Sequence, residues 1–306
     1  MVKTMSTWIT APESAIDLAK AKVAMDRFID PSIDGTATLR QLDGWAATIR
    51  SRVPPGASNK VEIDVLLSTL YRPGPWNDSR PFSYDFDDPF GAKIENKLLS
   101  TYLSTRRGNC VSMPILVAIL GQKLGLRMTL ATAPSHLLVK YASDEGQWLN
   151  IEATGGGFKY DTSYERETGI SPKAIENELY LRPLTHREAV GAMLSELMEF
   201  AGLQGQQERR IALANLALKI NPKDVVAMLQ KADGEYMLVK KRYRDRYPTP
   251  DLIPASQRPN FAALTRDNAE LFARAEALGW SEPTRAQEDH YLDTIRHAKT
   301  DQGNDR

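Results

Sequence analysis

The sequence predicts an α+β fold, in which a buried helix packs on a small antiparallel sheet between flanking N-terminal helices and a C-terminal helical region. Three observations predict it. Residues 110–124 are apolar on nearly every side, as expected of a helix in the middle of a domain and not on its surface. Three short strand-like segments follow, Leu126 to Thr132, His136 to Ala142 and Trp148 to Thr154, and Asp144-Glu145-Gly146 marks a tight turn between the last two. On either side of this centre the apolar spacing is helical.

The elements follow in order. Ile16, Ala19, Val23 and Met25 share one helical face, and Leu39, Leu42, Trp45, Ala46 and Ile49 share another. A Pro/Gly-rich stretch from Arg52 to Gly56 separates them from a helical run over Val61 to Tyr71. Arg72-Pro73-Gly74-Pro75 opens an irregular segment that ends near Gly91. Glu95 to Thr105 reads as helix and Arg106-Arg107-Gly108-Asn109 breaks it, while Gly125 is placed to end the buried helix. From about Thr185 the chain is helical with interruptions. Ala212 to Lys219, followed by Ile220-Asn221-Pro222, resembles the second helix of a tetratricopeptide unit and its closing proline. Asp224 to Val239 continues that pattern, four prolines from Pro248 to Pro259 interrupt it, and helices over Phe261 to Leu278 and Thr284 to His297 complete it. These textures divide the chain into an N-terminal helical segment (1–75), a core (76–185) and a degenerate repeat-like region (186–306).

Composition narrows the function. Lysine plus arginine and aspartate plus glutamate both number 39, so no global field draws the chain to nucleic acid or an anionic membrane. The basic stretch Lys240 to Arg246 reads as a solvated helix face. With Cys110 the single cysteine, intramolecular disulfides and cysteine-built zinc or iron–sulfur sites are excluded. The N-terminus lacks the apolar core of a signal peptide, and no apolar run approaches the ~20 residues of a membrane span. A cytoplasmic protein is expected, with no cofactor and no metal.

The chemistry-bearing candidates converge on one region. Pro114 belongs in the first turn of a helix, so the helix begins close to Cys110, and its N-terminal N–H groups favour a thiolate there. Arg106 and Arg107 lie near enough in sequence to add positive charge. In a hairpin centred on Asp144, His136 and Glu152 stand opposite each other, and shifting the centre by one residue leaves them a diagonal pair on the same face. A histidine held by a carboxylate is the base-and-orienter half of a cysteine triad. Singly, each feature has a plain structural reading: a small buried thiol and a structural hydrogen bond. Weaker candidates read as ordinary structure. Gly155-Gly156-Gly157 lacks the Lys-Ser/Thr of a phosphate loop and is expected to be a turn. Asp85, Asp87 and Asp88 read as a polar loop before a cation site. His186, His290 and His297 are expected at the surface, and Tyr160 and Asp161 are set near the cleft by proximity to Glu152.

The stretch from Arg106 to Pro114, then Pro134-Ser135-His136, then Asn150 to Gly156, resembles bacterial transglutaminase-like proteins of the SirB type. Asp30-Pro31, Leu42-Asp43 and Tyr180 to Leu184 contribute to the resemblance, which runs from about Ile16 to Met237. It implies a papain-like, transglutaminase-like core with a Cys-His-Asp triad on one helix and two adjacent strands. By position, Cys110 is then the nucleophile, His136 the base and Glu152 the acid, glutamate replacing the usual aspartate. Several relatives of this type lack the cysteine, whereas this chain keeps the full set. The expected activity is acyl transfer at a peptide or protein amide through a thioester, by hydrolysis, deamidation or transamidation, with hydrolysis favoured. The alternative is a non-catalytic adaptor that binds a protein partner through the helical tail. Since the tail carries no second Cys-His set, it is expected to be separable from the chemistry.

Overall fold

The computed structural model describes residues 1–304, and the side chains of residues 1–297. Four helices open the chain: α1 (Val2–Thr10), α2 (Leu18–Ile29), α3 (Gly35–Arg52) and α4 (Asn59–Tyr71). The last three start at polar caps, where the side chains of Asp17, Asp34 and Ser58 accept the otherwise unpaired N–H of Lys20, Ala37 and Val61. The irregular segment that follows carries β1 (Ser83–Tyr84), which pairs in parallel with β2 (Arg107–Gly108) across α5 (Leu99–Thr105).

The predicted central helix is α6 (Ser112–Leu124), and every residue from Ser112 to Gly121 is buried. Gly125 ends it in the left-handed conformation (φ 84°), as read from the sequence. At Gly121 the next segment comes so close that a Cβ would overlap the Met128 side chain.

The sheet is an antiparallel meander of β3 (Met128–Ala133), β4 (His136–Ala142), β5 (Trp148–Glu152) and β6 (Gly157–Lys159), in that spatial order. The first three match the sequence reading closely. β6 is too short, at three residues, to show an alternation of its own. The β4–β5 hairpin pairs Val139 with Ile151 and Tyr141 with Leu149, one residue on from a centre at Asp144. Continuing that register sets Glu152 against Leu138, so His136 and Glu152 form the diagonal pair and not the directly opposed one.

One sheet face, with Val139, Tyr141 and Ile151, joins α2, α3, α4 and α6 in the main core. The other face, with Ala131 and Leu138, packs against Tyr164 and Ile170 and against Met228 and Leu271 from the tail. Tyr164 belongs to α7 (Asp161–Thr168), which precedes the single-turn α8 (Pro172–Glu176). The free edge of β3 is occupied by the next segment, since Leu184 N–H donates to Leu130 O and Leu181 N–H to Thr132 O, both at 3.0 Å.

The tail comprises α9 (His186–Leu203), α10 (Gln207–Ile220), α11 (Val225–Val239), α12 (Arg258–Leu278) and α13 (Arg285–Asn304), with successive helices from α9 to α12 packed on one another. A buried charge cluster ties the first of these to the N-terminal segment. Lys22 Nζ donates to Asp26, to Glu196 Oε2 (2.7 Å) and to Lys97 O (3.0 Å), and Asp26 Oδ2 accepts Leu99 N–H (2.9 Å). Among the described residues, no helix is long and apolar enough to cross a membrane.

Candidate functional site

Cys110 lies two residues before α6, at the end of the sheet where β3 turns into β4. Its thiol is 2% exposed and donates to Ser135 O at 3.7 Å. Ser135 makes the Pro134-Ser135 turn in the left-handed region (φ 53°), an unusual conformation for a residue with a Cβ, and so brings its carbonyl to the sulfur. The Cys110 N–H donates to Pro89 O at 3.2 Å.

The helix terminus is satisfied locally and not by the sulfur. Asn109 Oδ1 accepts the N–H groups of Val111 and Ser112, each at 3.0 Å. The two arginines also point elsewhere. Arg106 reaches Asn77 O, Arg80 O and Asp78, and Arg107 pairs with Asp85 (2.6 Å) and Asp87 (2.7 Å). Neither supplies charge to the thiol, contrary to the expectation from sequence proximity. Burial pushes the thiol up to about 12, and the nearby carboxylates Glu152 and Asp88 add to this against the opposing charge of Lys97. In this state Cys110 is a protonated thiol and not the thiolate that the helix terminus and arginines predict.

His136, 5% exposed, is the first residue of β4. Its Nε2 is 3.0 Å from Glu152 Oε2, across the diagonal of the hairpin. Glu152 ends β5 with both oxygens occupied. Oε2 also accepts the Tyr164 hydroxyl (2.9 Å), and Oε1 accepts the Thr154 N–H (3.1 Å) and hydroxyl (2.6 Å). Burial raises this carboxyl, but the electrostatic pull and hydrogen bond of His136, the charge of Lys159 and the Thr154 hydroxyl together hold it at about 2. A carboxylate acceptor at Nε2 fixes the neutral imidazole with its proton on Nε2, leaving Nδ1 as the acceptor.

That acceptor is engaged by the tail. Tyr291 of α13 is 4% exposed and places its hydroxyl 2.9 Å from His136 Nδ1, with the ring centroids 4.9 Å apart. Burial, and after it the charge of Glu152, pushes the phenol well above its ordinary range, so it remains a donor. The same hydroxyl is 3.3 Å from Nε2 and 3.4 Å from the Thr154 hydroxyl, which donates its own proton to Glu152 and so can only accept from Tyr291.

The structure therefore joins His136 to Glu152 and brings Cys110 against the residue preceding His136. Among the described residues the thiol bonds Ser135 O and not the imidazole, against which the Tyr291 hydroxyl lies. The tail is accordingly part of the site's surroundings and not apart from them. Tyr164 and Tyr291 escaped sequence reading because nothing local marks them; they lie 28 and 155 residues from His136. Thr154 was legible in principle, since a threonine two residues after a carboxylate is a common local hydrogen-bonding arrangement.

The weaker candidates resolve simply. Asp85 and Asp87 hold Arg107, while Asp88 accepts Ala92 N–H, Lys93 N–H and Asn96 Nδ2. Asp161 accepts from Lys140 Nζ (2.8 Å) and Asn150 Nδ2 (2.7 Å), and Tyr160 is 80% exposed. Gly155-Gly156-Gly157 makes the turn into β6. His290 and His297 are exposed as expected, but His186 is half-buried between Gln122 Nε2 and Met128 O.

Comparison with known proteins supplies a family. No curated protein matches the chain in sequence. Among solved structures, a crystal structure of menin that reveals the binding site for the Mixed Lineage Leukemia protein is similar at 11% identity and a TM-score of 0.40, over 97% of this chain and 87% of menin. A likeness that remote carries no functional weight. The description "Transglutaminase-like superfamily" matches residues 36–195, just over half of the 306 residues and all of the segment that carries Cys110, His136 and Glu152. The chain belongs to the transglutaminase-like superfamily.

Proposed function

We propose that this chain is a cysteine-nucleophile acyl-transfer enzyme acting on amide bonds, with Cys110 as nucleophile, His136 as base and Glu152 as orienting acid. The single observation that carries this reading is the His136–Glu152 pair. A carboxylate held by four donors fixes an imidazole whose other nitrogen is directed away from it, beside the backbone against which Cys110 lies. Superfamily membership is consistent with a cysteine-based acyl-transfer or hydrolytic role. The SirB-type affiliation, the papain-like arrangement and the tetratricopeptide character of the tail belong to the same reading.

The chemistry follows from the roles. The thiol proton passes to His136 Nδ1 and the sulfur attacks the carbonyl carbon. As the C–N bond breaks, the departing amine takes the proton back from the imidazolium, leaving a thioester on Cys110. Water, deprotonated by the same imidazole, cleaves the thioester in hydrolysis. Glu152 stabilises the imidazolium in both halves without itself changing protonation.

The test uses p-nitrophenyl acetate, in which a phenolate replaces the amine as leaving group. The acyl group is expected on Cys110 by mass spectrometry. His136→Ala should lower the acylation rate by about 10²–10⁴-fold, and Glu152→Gln should lower it by less, since the base survives. Each comparison is between variants of one chain, so a slow absolute rate does not blunt it. A Cys110→Ser chain that releases nitrophenolate as fast as the parent would refute the proposal.

A further inference from the structure

We infer that α13 is an intramolecular plug that holds the site shut, with the Tyr291 phenol set against the imidazole that the Cys110 thiol must use. The inference rests on the cysteine-enzyme reading for what the plug regulates, and on geometry alone for the plug itself.

A neutral imidazole has one acceptor nitrogen. With Nε2–H donated to Glu152, that acceptor is Nδ1, and the Tyr291 hydroxyl lies against the ring 2.9 Å from Nδ1 and 3.3 Å from Nε2. The phenol therefore stands against the nitrogen that would receive the thiol proton and covers the ring there. The sulfur correspondingly donates to a backbone carbonyl, Ser135 O, and the Cys110 N–H, a natural donor to a developing oxyanion, is held by Pro89 O. The aromatic ring completes the closure, since Tyr291 packs beside His136 and is 6.5 Å from the Phe90 ring on the loop next to Cys110. Burial of the thiol, with its pKa pushed up to about 12, is the consequence for the nucleophile.

The attachment of α13 is narrow. Through residue 297, only Tyr291 and Ile295 of this helix are buried; the rest are half-buried or exposed. The segment leading into it, from Ser281 to Thr284, is exposed or half-buried and has no secondary structure. A helix whose buried side chains through residue 297 are these two, with Leu292 packed beside them and Arg296 over the Phe86 ring, can leave as a unit without disturbing the sheet beneath, because the His136–Glu152–Tyr164 network is complete without it.

The opposing role for Tyr291 is that of a positioning residue, steadying His136 for catalysis, and substitution separates the two. In the full-length chain, Cys110 is alkylated with iodoacetamide across pH while far-UV circular dichroism verifies folding. The plug predicts slow modification of the parent and at least tenfold faster modification of Tyr291→Ala, with Ile295→Ala behaving similarly. It also predicts faster, not slower, acylation by p-nitrophenyl acetate in Tyr291→Phe, which keeps the ring but removes the hydroxyl from beside Nδ1. Folded Tyr291→Ala and Ile295→Ala chains modified no faster than the parent would overturn the plug, and so would slower acylation of Tyr291→Phe. Faster modification of Tyr291→Ala with an ordinary thiol pH profile, unmoved by adding His136→Ala, would sustain the plug and refute the enzyme. Should the variants unfold, amide hydrogen exchange on the parent decides. The α13 amides should exchange well before those of β4, and equal protection of the two would overturn the inference.

Discussion

Replacing Glu152 with glutamine should remove a specific part of the protein's acid sensitivity. The carboxyl is held at about 2 in the folded chain against an ordinary value of 4.5. Its folded pKa is depressed, so its stabilisation is fully present above about pH 4.5 and is lost as the pH falls toward 2. At neutral pH that shift corresponds to about 3 kcal/mol, at 1.36 kcal/mol per unit. By pH 3.5, with the unfolded carboxyl largely protonated and the folded one still ionised, about 2 kcal/mol should remain. Glu152→Gln cannot ionise and presents an amide N–H₂ either to Nε2–H and the Tyr164 hydroxyl or to the two Thr154 donors. It should therefore be destabilised by about 3 kcal/mol at pH 7, and the gap should narrow by about 1 kcal/mol at pH 3.5. Urea unfolding of both chains at several pH values measures the gap directly. Parallel curves from pH 7 to 3.5 would show that Glu152 carries no pH-linked stabilisation, and the description of its four donors holding an ionised carboxylate would fail.

Two further outcomes follow from neighbouring contacts. Thr154→Val deletes the hydroxyl donor at 2.6 Å and should cost about 1–2 kcal/mol, with the acid limb of the stability curve moving to higher pH because the carboxylate loses a stabilising partner; an unmoved limb in urea melts would contradict this. Lys22→Ala removes the cation between Asp26 and Glu196 and should cost about 3–5 kcal/mol. Burial already raises Glu196 to about 7, above its unfolded value, so this group's contribution is fully present below about pH 4.5 and is lost as the pH rises through 7. The Lys22→Ala chain, with two carboxylates left together, should accordingly recover part of its deficit on acidification in the same melts, and a deficit that grows instead would refute the assignment.

Those two clusters also show how far the sequence could be read. The site's own pair was legible because β-hairpin geometry is local: any register with a turn near Asp144 puts His136 and Glu152 on one face, and the one-residue shift to the observed pairing changed opposition to a diagonal without separating them. The buried helix and its end at Gly125 were legible for the same reason, since unbroken apolarity and a following glycine are properties of adjacent residues. The Lys22–Asp26–Glu196 cluster was not. The i,i+4 spacing of Lys22 and Asp26 looks like an ordinary solvated helix pair, and only the packing of α2 against α9 turns it inward. The thiol's environment was misjudged by the same route. Arg106 and Arg107 are close to Cys110 along the chain, but their guanidinium groups leave toward Asn77 and Asp85, so proximity in sequence supplied no field at the sulfur.

Tyr291 marks the deeper limit. Residues 36–195 carry the family match and hold the proposed nucleophile, base and acid, whereas the hydroxyl beside the imidazole arrives from almost a hundred residues beyond that boundary. A motif encodes the groups that must act together, and their spacing is constrained by the strand and helix that carry them. A group that only has to reach the site can come from any element able to pack over it, so its position along the chain carries no spacing signal. It follows that the same Cys-His-Glu set can be open in one chain and closed in another with no change inside the matched core. On the proposed reading, the competence of the set in this chain turns on how firmly α13 holds its seat, where Tyr291 and Ile295 are its buried residues, and not on Cys110, His136 and Glu152 alone.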